Sequence, residues 1–386
     1  MTSLIRLTIT LIGVLQFIHE NVAQDCNVDG TSSSYSETFL GTMHHGYNSQ
    51  TILRRYIQAS GCPNHDYATL NPNIGEVQSF AYSIPAYPYF NGESYQDALD
   101  NNFADLSRQG GDVGLTLNGV SIYTAYAGNY DYDGDGDIDD DDADAYGETS
   151  NAVTAEGDTF DRCGGHSSGA NAGYQYHYHV PPTCLIAQMG GLDTTQHSPQ
   201  IGWMYDGFPI YGNRGPSGTM MKRCGQVGAH ETICLDKCNG YYSDDGSIDV
   251  YKYRYYITGE LSDQTTIPTS PLPTSSPANE SYFPFTPYCS LGCLSQGSRA
   301  NWEGSTASYL SICNQAITNE AGVIFNYDLS NSTESTLGGL HEGVTEPYDD
   351  GDTDDDDTSS SSSSSSRPPN VVMYAFLVTN SHLSHQ

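Results

Sequence analysis

One short sequence frame occurs twice in this chain of 386 residues. Its first copy, D-x-C-x-G-H at 161–166, is followed ten residues later by the run YHYH at 176–179. Its second copy, D-x-C-x-G-Y at 236–241, is followed twelve residues later by YRYY at 253–256. Because the second copy contains none of the three histidines of the first, the frame itself does not require imidazole. The repeat therefore predicts two halves built alike, one bearing histidines and the other bearing tyrosine and arginine.

Short runs of alternating residues predict a mainly β protein. They are rich in Tyr, Val, Thr and Ile and are separated by Gly, Pro, Asn and Asp, as in strands joined by turns. The runs that we assign to strands are 77–85, 113–126, 174–180 and 250–258. Asn118-Gly119 is a hairpin signal inside the second run, and residues 50–59 are predicted to form a short helix. With 30 tyrosines and 40 glycines, we expect an antiparallel β-sandwich or barrel with long loops and a partly aromatic core.

The N-terminus indicates secretion. Residues 1–23 contain one arginine, then an apolar run, then a small-residue end before Gln24, which is the order of a signal peptide. Ten cysteines in an exported chain predict disulfide bonds, although the sequence does not determine which cysteines pair. The sequons at Asn279 and Asn331 predict glycosylation. We therefore expect a secreted, disulfide-bonded glycoprotein.

The formal charge of −34 limits the classes of partner. It excludes electrostatic binding to nucleic acid and to anionic membrane surfaces, because both need a positive protein surface. It favours cations instead, and we expect mineral, extracellular-matrix or cell-wall components as partners. Much of the acidic excess lies in residues 131–144 and 349–357.

Composition divides the chain into segments. After the signal peptide we predict an N-terminal segment at 24–57, a main domain at 58–295 with an insertion at 131–148, and a C-terminal extension at 296–345. Residues 346–370 are acidic and then serine-rich, so they bury too little apolar surface to fold and are predicted to be disordered. The tail at 371–386 holds a run of eight apolar residues, which is too short to span a bilayer. The alternative that the C-terminus is incomplete and that the protein is anchored at the cell surface stays open.

The YHYH run is a candidate transition-metal site. On a strand, successive side chains point to opposite faces, so His177 and His179 share one face and the two tyrosines share the other. Two imidazoles on one face suit copper or zinc, which needs at least one more ligand. His166, His65 and His197 are the candidates for that ligand. The alternative is a buried network in which carbonyl and tyrosine oxygens satisfy the imidazoles.

The run DYDGDGDIDDDD at 131–142 is a candidate calcium loop. Its spacing matches the EF-hand loop, with Gly136 at the sharp turn and Ile138 as the apolar anchor, and its acidic last position resembles dockerin-type repeats. The alternative is a solvated acidic loop. The predicted calcium ligands are Asp131, Asp133, Asp135, Asp137 through its carbonyl, and Asp142.

Six motifs, taken in order, resemble those of the YHYH-domain family, which is named after the run at 176–179. They are SGCPNHD, VGLTLNGVSIYTAY, FDRCGGH, YHYH, HSPQIGWMYDGFPIYG and LDKCNG, and the resemblance covers roughly residues 58–295. The resemblance implies that the protein is secreted, but it implies no particular reaction, since no activity is assigned to the family. Members commonly repeat the GH…YHYH module. The second module departs from this pattern, because Tyr241, Arg254 and Tyr256 stand where histidine is expected.

Three functions stay open at this point. The first is a non-catalytic metal-binding or interaction module stabilised by calcium and disulfides. The second is a secreted metalloenzyme whose copper or zinc ion keeps an open position. The third is a purely structural extracellular or cell-wall protein. An enzyme is not favoured, because the sequence has no nucleophile-elbow, P-loop or dinucleotide motif.

Overall fold

The described strands form one sheet of three strands, one of eight and a two-stranded pair. The computed structural model describes residues 24–40, 54–67, 71–105, 112–126, 151–244, 248–261, 281–287, 289–293, 320, 322 and 343–348. They belong to the unit Met1–Asp350, and the second unit, Gly351–Gln386, contains no described residue. The predicted signal peptide, calcium loop, sequons, polyserine segment and apolar tail lie outside the described residues.

The smaller sheet is antiparallel and consists of β1 (Tyr35–Leu40), β2 (Arg54–Ala59) and β3 (Phe80–Pro85). The helix predicted for residues 50–59 is therefore wrong over 54–59, which form the central strand β2. Its side chains alternate between buried and less buried along the strand, with Ile57 only 1 % exposed. A short apolar run is locally compatible with either a helix or a strand. Residues 54–59 form a strand because they are hydrogen-bonded to strands on both sides.

The remaining strands have the following bounds: β4 Ala104–Asp105, β5 Asp112–Thr116, β6 Ser121–Tyr123, β7 Gly165–Ser167, β8 Tyr176–Tyr178, β9 Gln200–Met204, β10 Pro209–Tyr211, β11 Gly240–Tyr242, β12 Tyr253–Tyr256 and β13 Cys289–Ser290. β4 and β13 form the two-stranded pair. The other eight form the larger sheet, in the strand order β11-β12-β10-β9-β5-β6-β8-β7. The helices are short: α1 (Tyr95–Asp97), which continues as a π-helical turn (Ala98–Asn102), α2 (Ala152–Glu156) and α3 (Thr183–Gln188). None of the described helices has the length and apolar character needed to cross a membrane.

The eight-stranded sheet is an internal repeat about the antiparallel pair β5–β9. In the first half, β5 forms a hairpin with β6, β6 runs parallel to β8, and β8 pairs antiparallel with β7. In the second half, β9, β10, β12 and β11 repeat these three pairings in the same order. The two halves predicted from the repeated frame are therefore present in the sheet.

The repeated frame of the first half is a turn built around the Asp161 carboxylate. One oxygen accepts hydrogen bonds from the backbone N–H groups of Cys163 (2.8 Å) and Gly165 (3.2 Å), and the other accepts the hydroxyl of Tyr176. A Cβ on Gly165 would collide with the ring of Tyr176, so the frame needs glycine there. The Cys163–Cys184 disulfide ties this turn to α3.

The second half repeats this turn around Asp236. Its carboxylate accepts the backbone N–H groups of Cys238 (2.8 Å) and Gly240 (3.0 Å) and the hydroxyl of Tyr253 (2.8 Å). Cys238 forms a disulfide with Cys289. The Asp, Cys, Gly and Tyr that the two copies of the frame share are thus explained by one hydrogen-bonded turn in each half.

The two sheets pack through a shared core. Ile57 and Ile84 of the smaller sheet belong to the same buried cluster as Leu115 and Trp203 of the larger sheet, and the Arg55 guanidinium lies 3.8 Å from the centroid of the Trp203 ring. The protein is mainly β with long loops, as predicted, and its described strands do not close into a barrel. Four disulfides lie among the described residues: Cys26–Cys62, Cys163–Cys184, Cys224–Cys234 and Cys238–Cys289.

Candidate metal centre

Strand pairing brings three of the predicted histidines together. His166 on β7 is the direct partner of His177 on β8. His179 comes directly after the end of β8, and its ring lies close to that of His177. The side chains of all three are buried. The alternation of β8 and its antiparallel edge strand therefore places three imidazoles on one face of the sheet.

The three imidazoles point their Nε2 atoms at one another. The Nε2 atom of His177 lies 2.9 Å from that of His166 and 3.0 Å from that of His179. A carboxylate oxygen of Glu156 lies 3.0 Å from Nε2 of His166 and 3.4 Å from Nε2 of His179. One donor atom from each of these four residues thus lies within 4.8 Å of the others, an arrangement that could hold a metal ion.

The hydrogen bonds of the outer ring nitrogens determine where the ring protons are. The Nδ1 atoms of His177 and His179 face the backbone carbonyls of Gln175 (3.0 Å) and Thr124 (2.6 Å), so both must donate a proton. Nδ1 of His166 lies 2.7 Å from the hydroxyl of Thr159, which already donates its own proton to a backbone carbonyl at 2.7 Å. His166 Nδ1 is therefore a donor as well. In their neutral form, all three histidines direct an Nε2 lone pair toward the centre of the cluster.

Burial disfavours the protonated form of His166 and His177. The pKa of His177 lies well below its ordinary value because the ring is buried and because His166 and His179 are close. Burial also lowers the pKa of His166, against the opposing effect of Glu156. For the Glu156 carboxyl, burial alone would raise the pKa, but the adjacent His166 and His179 outweigh burial and hold that pKa well below its ordinary value. With neutral imidazoles, the four residues offer a metal ion three ring nitrogens and one carboxylate oxygen.

Aromatic rings surround the three imidazoles. Tyr123 of β6 stacks on His177 with ring centroids 3.8 Å apart and an interplanar angle of 18°. Phe160 contacts His166 edge-on, with centroids 4.8 Å apart, and stacks on His179 at 5.9 Å. Because these rings fill the space behind the imidazoles, the histidines cannot easily turn away from the centre.

Glu156 was not among the residues predicted from the sequence. It is the last residue of α2, whose first turn is capped by the Asn151 side chain, which accepts the N–H of Val153 at 2.9 Å. The N–H of Ala152 donates to the carbonyl of Ala125 at 2.9 Å, which joins the helix to the segment after β6. The only sequence signal for Glu156 is this capped short helix ten residues before His166, and such a signal is weak.

His65 lies in another part of the first half. Its Nε2 atom is 3.2 Å from the Asp161 carboxylate and 3.0 Å from the hydroxyl of Tyr176, on the tyrosine face of β8. It also lies close to Cys163 and Cys184. Because these two cysteines form a disulfide, they offer no thiolate to a metal, and His65 acts as a partner of the Asp161 turn.

His197 belongs to the second half. Its Nε2 atom is 2.8 Å from the hydroxyl of Tyr256, and its Nδ1 atom is 2.7 Å from the carbonyl of Ser198. Of the three candidates for a further ligand, the structure therefore brings only His166 to the YHYH pair.

The equivalent place in the second half holds an ion pair. Strand register makes Tyr241 and Arg254 the counterparts of His166 and His177, and Tyr256 is the counterpart of His179. The Arg254 guanidinium binds the Asp249 carboxylate through two hydrogen bonds, from Nε to Oδ2 (3.0 Å) and from Nη2 to Oδ1 (2.7 Å). Tyr211, the counterpart of Tyr123, donates its hydroxyl to the same carboxylate at 2.6 Å. The fold therefore places a positive group at this position in the second half.

One family model matches part of the chain. Residues 81–231 match the family model described as YHYH protein, a narrower span than the 58–295 over which the sequence motifs resemble that family. No curated protein and no solved structure matches the chain. The matched span includes Glu156, His166, His177 and His179 but ends before β11 and β12, so the match supports assignment of this part of the chain to the YHYH family.

Proposed function

We propose that the protein is a secreted, non-catalytic metal-binding module in which Glu156, His166, His177 and His179 hold one zinc or copper ion. The observation that carries the proposal is the convergence of three Nε2 lone pairs at 2.9 and 3.0 Å. Two acceptors this close repel each other in a buried site, and a cation between them converts the repulsion into coordination.

The donor set fits these metals. Imidazole suits zinc and copper, and a set of four donors with one carboxylate satisfies tetrahedral zinc. The hydrogen bonds of Nδ1 to Gln175, Thr124 and Thr159 are the kind that normally orient metal-binding histidines and increase their basicity. The alternative of a purely structural histidine network would pair each Nε2 with a donor.

The second half supports the need for a cation. Where the first half has three imidazoles and Glu156, the second half has Arg254 paired with Asp249, and the side chain of Arg254 is 1 % exposed. The carboxylate beside these positions is thus neutralised by a guanidinium in the second half, and we infer that a metal ion neutralises Glu156 in the first.

Calcium and disulfides complete the proposal. We propose that Asp131, Asp133, Asp135, Asp137 and Asp142, which lie outside the described residues, bind calcium in the chain segment between β6 and α2. Together with the four disulfides, this would stabilise the domain in an extracellular setting. The acidic surface would associate with cations, mineral or wall components.

Elemental analysis of the protein secreted without a chelator tests the metal site. We expect one zinc or copper ion per chain in the wild type and none in the variant H177A/H179A. His230, which is exposed and outside the cluster, provides the matched control H230A, which should retain the ion. Circular dichroism checks that each variant is folded.

Absence of a transition metal from the folded wild type, even after incubation with zinc and with copper, would overturn the proposal. The histidines would then belong to the core of a structural extracellular protein.

A further inference from the structure

We propose that Glu156 is an exchangeable ligand and that a small monoanion, such as a carboxylate, binds the metal ion in its place. This inference rests on the proposed metal site and assigns it a ligand class. In the exchange, the bond between the metal and the Glu156 carboxylate breaks and a bond to the incoming anion forms. One negative charge replaces another, and no electron or proton has to be supplied.

The histidines are held too firmly to be exchanged. Each imidazole is hydrogen-bonded at Nδ1 as well as directed inward at Nε2, so both ends of the ring are fixed. The side chain of His166 is 6 % exposed and that of His179 is 3 % exposed. Displacing one of them would break a buried hydrogen bond in addition to the metal bond.

Glu156 is held differently. Within the described part of the chain, the polar partners of its carboxylate are the Nε2 atoms of His166 and His179, and it has no anchor comparable to Thr159, Gln175 or Thr124. Its side chain is 29 % exposed, whereas the imidazoles are buried. It also ends a helix of five residues, so the side chain can swing outward without disturbing a long element. Of the four residues, Glu156 is therefore the one whose side chain has the most contact with solvent.

The charge of the centre favours an anion. Three neutral imidazoles leave the charge of a divalent ion unchanged, and Glu156 removes only one unit of it. A monoanion therefore restores the same net charge when Glu156 leaves, whereas a neutral ligand would leave an additional positive charge in a mostly buried site. A carboxylate matches Glu156 in both charge and donor atom.

Azide binding to the copper-loaded protein tests this inference, because azide bound to copper(II) produces a charge-transfer absorption band. We expect the band to grow as azide is added to the wild type and to weaken when acetate is added as a competitor. In the variants E156Q and E156A, where no tethered carboxylate competes, azide should bind about tenfold more tightly. E231Q, which removes the same charge at an exposed position, should behave like the wild type.

Metal content, measured on the same samples, separates the two proposals. If every sample contains one copper ion per chain and azide produces no band, or if azide affinity is the same in E156A and the wild type, the exchangeable ligand is disproved while the metal site stands. If copper is absent from the wild type, the proposed function itself fails.

Discussion

Replacing Arg254 with methionine should destabilise the protein strongly, because it leaves a carboxylate without its counter-charge. Arg254 and Asp249 form two hydrogen bonds of 3.0 and 2.7 Å, and their side chains are 1 % and 12 % exposed. Methionine keeps much of the side-chain volume, so the loss is mainly electrostatic. The hydroxyl of Tyr211 and the N–H of Tyr251 would be the remaining partners of Asp249.

The magnitude follows from this geometry. Removing one partner of a buried ion pair lowers the free energy of unfolding by about 3–5 kcal/mol. Since Asp249 retains two neutral donors and a little solvent contact, we expect the lower end, about 3 kcal/mol for R254M. The double variant R254M/D249N removes both charges of this pair, so neither charge is left without its counter-charge. The loss should therefore be smaller than the sum of the two single losses by about 2 kcal/mol.

Equilibrium urea unfolding with the disulfides intact provides the assay, with Trp203 fluorescence reporting on the core. The double-mutant cycle should be run on metal-loaded and metal-free protein. The coupling between Arg254 and Asp249 should be the same in both forms, because their cation is part of the chain. A loss below about 1 kcal/mol for R254M, or strict additivity of the two substitutions, would refute the view that Arg254 neutralises a buried carboxylate.

Two further predictions concern the two kinds of cation. The triple variant Y241H/R254H/Y256H recreates the three imidazoles in the second half, where Asp249 supplies a carboxylate. Elemental analysis of this variant should find a second zinc or copper ion per chain. A folded variant that still binds one ion would contradict the equivalence of the two halves. Calcium at about 5 mM should stabilise the wild type by about 1–2 kcal/mol, as expected for the weak affinity of extracellular calcium loops, and raise its melting temperature. The variant D131N/D133N should lose this effect, and an equal rise in the variant would show that calcium acts elsewhere.

Much of the architecture was predictable from local patterns. Alternation along 113–126 predicted the hairpin of β5 and β6, with Asn118-Gly119 at its turn, and the repeated frame predicted the two halves of the sheet. The same alternation predicted that His177 and His179 point to one side, and their Nε2 atoms lie 3.0 Å apart. These features depend on the period of two that every strand imposes on its side chains.

Other features depended on partners distant in the chain. Residues 54–59 form a strand because β1 and β3 flank them, which their own apolar spacing does not reveal. Of His166, His65 and His197, all plausible ligands by sequence, only His166 joins the pair, because the antiparallel register of β7 and β8 sets it opposite His177.

The amino-acid sequence by itself determined the β class, the internal repeat and the shared face of the two histidines, since these follow from residues near one another in the chain. Only the tertiary structure decided that Glu156 completes the cluster and that Arg254 pairs with Asp249 in the second half. Both depend on how short helices and loops fold back onto the sheet edge. The position of a carboxylate at the end of α2 is set by Asn151 and by contacts with the segment after β6, and no local periodicity encodes such contacts.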